Sequence, residues 1–300
     1  MNRIISMNFG AGEGAESIER LRAARSLLFV PADDRRKVAR AWTSGADAVV
    51  LDLEDAVAPA RKDAARQLVS EVLPAAALLI LRVNGTDTPW AAEDLRMLDG
   101  LSVDAVMLPK ASPESLVALG DEGPPVIALI ETAAGLRRAY EIASHTRVVA
   151  LALGGADLGA ELGWAEDPAA AELLHARSVL VVDSAAAGIR APFDVVHLAV
   201  GDPDGARVEA EQARRLGLGG KLCIHPRQVP VVNTAFAPSQ REREQAARVV
   251  QALDEAMDLG SAVAVVDGKL VDAPVARRAR ATLRAAEVHS VTTSKEAQCN

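Results

Sequence analysis

Three hundred residues, half of them hydrophobic, suit one large α/β barrel or two medium domains and bury a sizeable core without disulfide staples. Only 3% are aromatic and the formal charge is −8, with arginine pairs dispersed along the chain at 35–36, 137–138, 214–215 and 277–278. These features predict no nucleic-acid partner, because stacking faces and a massed basic patch are both missing.

The chain opens with MNRIISMNFGAGEGAESIER, which has neither a continuous apolar core nor a small-residue cleavage site. Residues 1–24 are therefore expected to be a flexible leader. The glycines of FGAGEG do not follow a strong strand, and no GxxxxGK[ST] phosphate loop occurs. No stretch approaches the roughly 18 uninterrupted apolar residues of a membrane span, so no membrane partner is expected. Cys223 and Cys299 have no spacing that suggests zinc or a disulfide framework. A cytoplasmic location fits.

From residue 25, short apolar, β-branched runs recur: RSLLFV (25–30), DAVVLDL (47–53), ALLILRV (77–83), DAVMLP (104–109), VIALIE (126–131), VVALALG (148–154), FDVVHLAV (193–200) and KLCIH (221–225). Segments with helical periodicity separate them, among them DRRKVARAWTSG, WAAEDLRMLDG and ARVEAEQARRLG. Eight buried strands alternating with helices predict an α/β fold, a (β/α)8 TIM barrel, over residues 25–237. A doubly wound sheet is disfavoured, since FVPADDRR rather than a glycine fingerprint follows the first strand. A charged helix, a short apolar pair of runs and a basic helix then predict a C-terminal helical arm over 238–290, with a polar tail at 291–300.

Barrels carry their chemistry in the loops that follow the strands. Glu54 and Asp55 follow the second run, Arg82 and Asn84 close the third, and Lys110 follows the fourth. Glu131 ends the fifth run, Gly154, Gly155 and Asp157 follow the sixth, and Asp202 and His225 follow the last two. Five carboxylates at one mouth repel one another unless a divalent ion or basic side chains neutralise them. Oxygen ligands without a Cys or His cluster point to Mg²⁺, with Glu131 and Asp157 as the best pair of ligands, the alternative being that Glu131 is a strand-end residue bonded to a neighbouring loop. Glu54 and Asp55 are expected to orient those ligands from behind or to bind the ion through water, rather than to serve as the acid/base pair. Gly154, Gly155 and Ala156 either expose backbone N–H groups to a substrate carboxylate or simply form a tight turn. Arg82 either clamps a carboxylate or pairs with Glu54 or Asp55. His225, before Pro226, is read as closing a turn.

The ordered set RSLLFVPADDRRK, GADAVVLDLEDAVAPARKDAAR, LRVNGTDTPWAAEDL, VMLPKASP, ALIETAAG, LALGGADLGAELG, GKLCIHPRQVPVVNTAFAPS and VDGKLVDAPVARRA resembles the citrate lyase β-subunit-like family of the HpcH/HpaI aldolase superfamily. The resemblance implies a magnesium-dependent carbon–carbon lyase of (β/α)8 fold, usually a homotrimer or a multiple of trimers. Its substrate would be a 3-hydroxy acyl thioester, such as a citryl, malyl or citramalyl group on coenzyme A or an acyl carrier protein. By motif, Arg82 binds substrate, Glu131 and Asp157 hold the metal, and Arg36 and Arg40 lie where relatives bind coenzyme A. Asp272, in KLVDAPVA, matches an acid/base aspartate that relatives supply from a neighbouring subunit. Two departures stand out. Gly155-Ala156-Asp157 replaces a Gly-x-Glu-Asp common among relatives, and FDVVHLAVGDPDG is less polar than expected. The resemblance leaves open a subunit working on a carrier protein, a class II pyruvate aldolase on free acids, and a non-catalytic 2-oxo acid binder.

Overall fold

The computed structural model describes residues 13–71, 77–164 and 170–298. The chain divides into two compact units, residues 1–236 and 237–300.

The first unit begins with α1 (Glu13–Ala23), β1 (Ser26–Pro31), α2 (Arg35–Trp42), β2 (Ala48–Asp52), α3 (Lys62–Glu71) and β3 (Leu78–Arg82). It continues with α4 (Ala91–Leu98), β4 (Ala105–Leu108), α5 (Pro113–Leu119), β5 (Val126–Ile130), α6 (Ala133–Arg137) and α7 (Ala139–Ala143). Next come β6 (Val148–Leu153), α8 (Gly155–Leu162), α9 (Ala170–Ala187), β7 (Phe193–Asp194), α10 (Pro203–Leu216), β8 (Gly220–Cys223) and α11 (Gln228–Phe236). The eight strands pair in sequence order and β8 closes on β1, all in parallel. This is the expected TIM barrel.

Because side chains alternate across a strand, each strand feeds two cores. Leu27, Val50, Ile80, Met107, Leu129, Ala152, Phe193 and Leu222 fill the lumen, while Val49, Leu81, Val106 and Cys223 belong to the larger cluster shared with the surrounding helices. Continuing the lumen-facing alternation upward brings Asp52, Arg82, Glu131 and Gly154 to the carboxyl-terminal mouth. The same period of two that builds the core therefore aims the polar residues.

Two expectations need correction. Residues 13–23, assigned to a flexible leader, form α1, whose Leu21 joins Ala24 and the lumen cluster. Ser17 also hydrogen-bonds Asp104, just before β4, so α1 caps the barrel's amino-terminal end. Residues 1–12 lie outside the described residues. The seventh run is strand only over Phe193–Asp194, because the His197 carbonyl accepts from Gln228 Nε2 instead of extending the ladder.

The second unit contains α12 (Gln240–Asp258), a hairpin of β9 (Ala264–Val266) and β10 (Lys269–Val271), and α13 (Ala273–Gln298). The hairpin turns through Asp267 and Gly268 at φ 51° and 73°, the left-handed pair that a tight antiparallel turn needs. Ala246, Val249, Leu253, Val271, Ala276 and Ala279 form its own small core. Helix α13 runs on to Gln298, through the stretch expected to be a polar tail. Among the described residues no helix is long and apolar enough to cross a membrane.

Candidate active site at the carboxyl-terminal mouth of the barrel

Asp52 and Arg82 end neighbouring strands in direct register. The Arg82 guanidinium donates from Nε and Nη2 to the two Asp52 oxygens at 2.8 and 2.6 Å, a planar fork matched to a carboxylate. Its Nη1 lies 2.7 Å from Glu54 Oε2, off the line of a hydrogen bond, and the guanidinium sits over the Phe29 ring at 5.1 Å. Asp52 also accepts the backbone N–H groups of Glu54 and Ala56, so one buried carboxylate organises both the arginine and the loop after β2. Burial alone pulls the Arg82 pKa down, but its bond to Asp52 and the charges of Asp52, Glu54 and Glu131 more than offset this and raise it. The pairing expected between Arg82 and Glu54 is present.

Glu131 answers why a carboxylate ends a run of five apolar residues. Only 2% exposed, it takes the Lys110 backbone N–H on Oε1 at 2.8 Å. Burial, then repulsion from Glu54 and Asp157, push its pKa up to about 8. Asp157, in the first turn of α8, is exposed and close enough to contribute to that repulsion. Glu54 is also raised, by burial first and by Asp55, against the opposing pull of Arg82 and Lys110. Its Oε1 accepts from Lys110 Nζ at 2.7 Å. Asp55 faces solvent.

The donor set fits a hard cation on two grounds. A buried carboxylate raised this far and a second, exposed carboxylate beside it would both be relieved by positive charge. Gly154 also leaves a space that a side chain would fill: a Cβ there would lie 2.4 Å from Glu131 Cβ and 2.5 Å from Oε2. No group of three or more His, Cys, Asp or Glu side chains converges among the described residues. A two-carboxylate site that leaves positions for water and substrate is the arrangement Mg²⁺ tolerates. Gly154→Ala is expected to drive Glu131 aside, lowering stability by about 2 kcal/mol and abolishing magnesium binding, as thermal denaturation and titration calorimetry would show. Unchanged affinity would mean that Glu131 can shift freely.

The Gly154 N–H donates to the Ile130 carbonyl at 2.9 Å, so only Gly155 and Ala156, which open α8 without a side-chain cap, offer helix N-terminal N–H groups to a ligand. Arg36 and Arg40 are exposed on α2, directly after β1. His225, after β8, has its pKa lowered by partial burial and by Arg227 and Arg40, which places Arg40, His225 and Arg227 together at the mouth's edge. The His225 ring accepts from the Arg227 N–H, the turn role expected of it. Asp202 does not join the carboxylates: it caps α10 through Gly205. Asp272 lies in the second unit, where its side chain accepts the Val275 N–H and caps α13.

Three contributors escape a reading of the strand ends. Asp52 lies inside its run, one residue before the end, and is the last residue of β2; its i, i+2 relation to Glu54 was the available signal. Lys62, in the charged start of α3, turns inward and donates to the carbonyls of Leu53 and Glu54 and to Asn84 Oδ1 at 2.6, 2.8 and 2.7 Å, with its ammonium over Trp90. Asn84 in turn donates its side-chain and backbone N–H groups to Asp94, which is fully buried and paired with Arg66.

A closed parallel barrel with paired arginine, lysine and carboxylates at its carboxyl-terminal mouth is the layout of a (β/α)8-barrel enzyme. The family model for HpcH/HpaI aldolase/citrate lyase matches residues 25–226, and the chain belongs to this family. It is 36% identical over 296 residues to the citrate lyase subunit beta of Leuconostoc mesenteroides subsp. cremoris, covering 92% of this chain and 97% of that one. It is 38% identical over 270 residues to a (3S)-malyl-CoA thioesterase of Cereibacter sphaeroides, covering 88% and 94%. Among solved structures, the CitE protein of Mycobacterium tuberculosis in complex with magnesium, acetoacetate and coenzyme A is similar at 37% identity and a TM-score of 0.79, covering 89% of this chain and 99% of that one.

Proposed function

We propose that this chain is a Mg²⁺-dependent carbon–carbon lyase that cleaves a 3-hydroxy acyl thioester of coenzyme A, of the malyl, citramalyl or citryl type, into acetyl-CoA or its equivalent and a 2-oxo acid. The observation that carries it is the buried, charge-strained Glu131 beside Asp157, with Arg82 fixed across the mouth. The family relationship and the magnesium and coenzyme A bound by a similar protein support it.

Glu131 and Asp157 would hold the ion, whose positive charge stabilises the oxygen on which charge develops as the bond breaks. Arg82 orients the 2-oxo acid half, its own geometry locked by Asp52. The N–H groups opening α8 receive a substrate carboxylate. The basic edge of Arg36, Arg40 and Arg227 meets the phosphates of coenzyme A. Asp272 exchanges the proton at the acetyl-like carbon, supplied from a neighbouring copy in a homotrimer, and the enzyme works in the cytoplasm.

The test is to incubate the protein with Mg²⁺ and malyl-, citramalyl- and citryl-CoA, resolving acetyl-CoA plus 2-oxo acid from free coenzyme A plus hydroxy acid. The first pair, abolished by EDTA, is the expected result. The second pair would instead mean thioester hydrolysis, the activity for which the Cereibacter relative is named. Asp157→Ala should lose turnover and metal binding together. Asp272→Asn should keep stability, because Asn caps a helix about as well as Asp, and lose turnover at least about 100-fold; an active Asp272→Asn variant removes Asp272 from the mechanism.

A further inference from the structure

Lys110 is held in an unusual backbone conformation. Apart from Asp267 in the hairpin turn, it is the non-glycine residue with positive φ among the described residues, at 46°. That turn aims its backbone N–H at Glu131 Oε1 while its ammonium reaches Glu54 Oε1. Glycine would make the same turn without strain. What lysine adds is the ammonium, joined to a carboxylate whose second oxygen, buried against Arg82, makes no hydrogen bond.

We propose that Lys110 is a positioning residue that holds Glu54 back from the cation, reserving the ion for Glu131, Asp157 and the substrate's oxygens. The inference rests on the reading of Glu131 and Asp157 as the magnesium ligands. Lys110 touches one oxygen of both Glu54 and Glu131, so the two carboxylates stand within the span of one lysine. A divalent ion placed against Glu131 attracts every carboxylate within reach, and a third carboxylate would occupy a coordination position that a chelating substrate needs. Lys110 from one side and Arg82 from the other satisfy the charge of Glu54 and fix it where it is. Removing the lysine frees Glu54 to compete.

A lysine that merely supported the fold would, when replaced, weaken metal binding and turnover together. The present role separates them. In calorimetric titration of the metal-free protein without substrate, Lys110→Met is expected to bind Mg²⁺ about tenfold more tightly. Its kcat at saturating Mg²⁺ should fall at least about 100-fold. Lys110→Gly keeps the N–H to Glu131 and relieves the backbone, so it folds and should behave as Lys110→Met does. With Glu54→Gln already in place, Lys110→Met should no longer tighten Mg²⁺ binding. Weaker or unchanged binding in both single variants, or full turnover by Lys110→Gly, overturns the proposal while leaving the lyase reading intact. A wild-type protein that binds no Mg²⁺ removes both.

Discussion

Arg82→Met is expected to lower stability by about 3–5 kcal/mol and to reduce kcat/KM at least about 1,000-fold. The stability loss follows from what stays behind. Asp52 is 1% exposed and gives both oxygens to the guanidinium, and Glu54 lies against the same group. Truncating the arginine leaves two buried carboxylates near the raised Glu131, with Lys110 paired to Glu54 and Lys62 within reach of Asp52 as remaining cations. Arg82→Lys should recover part of the stability and little of the activity. An ammonium returns the charge, but it cannot bond both Asp52 oxygens while presenting a planar edge to a substrate. Denaturant unfolding and steady-state cleavage of the thioester separate the two effects. Full turnover by Arg82→Lys would show that the site needs only a point charge there.

Much of this arrangement is written in the strand pattern. Apolar β-branched runs such as VIALIE and VVALALG mark the lumen, and the residue that continues each inward alternation is the one delivered to the mouth, which is why Glu131, Arg82 and Gly154 were legible. The seventh strand was less so, because the six apolar residues and two polar interruptions of FDVVHLAV read as one strand, whereas Asp194 is committed outward to Arg177 and Lys221 and the chain turns away at His197. Lys62 was hidden for a different reason. In KDAARQ a lysine looks like part of a solvated face, and only the packing of α3 shows that its ammonium is buried against three acceptors. The chain from Arg66 through Asp94 and Asn84 to Lys62 starts and ends on α3 and passes through residues of the following strand end and helix, each ordinary on its own. Helix α1 was hidden by its polar composition; buried Leu21, with Ala24 just past its end, seats it.

Glu131 gives the second large effect, on stability as a function of pH. Its carboxyl in the metal-free folded protein keeps its proton up to about pH 8, against a reference of 4.5. Between those values the folded state binds more protons than the unfolded state, so stability is fully present below about pH 4.5 and is lost as pH rises toward 8. The loss attributable to this group is about 3 kcal/mol, discounted for its coupling to Glu54. Magnesium reverses the trend. Binding requires the carboxylate form, so the apparent affinity should rise about tenfold per pH unit below pH 8 and level off above it, with about one proton released per ion at pH 6.5 and almost none at pH 9. Urea midpoints at pH 5.5 and 8.5, with EDTA and with Mg²⁺, give the first comparison, and calorimetry in buffers of different ionisation enthalpy counts the protons. Glu131→Gln should flatten the pH dependence of the EDTA series and abolish the magnesium increment, because a neutral amide neither titrates nor repels Glu54. If the wild-type protein without metal is equally stable at both pH values and releases no proton on binding, then Glu131 is already ionised in the folded chain. The strain that makes the mouth receptive to a cation would then have to reside in Glu54, the other buried carboxylate whose pKa is raised.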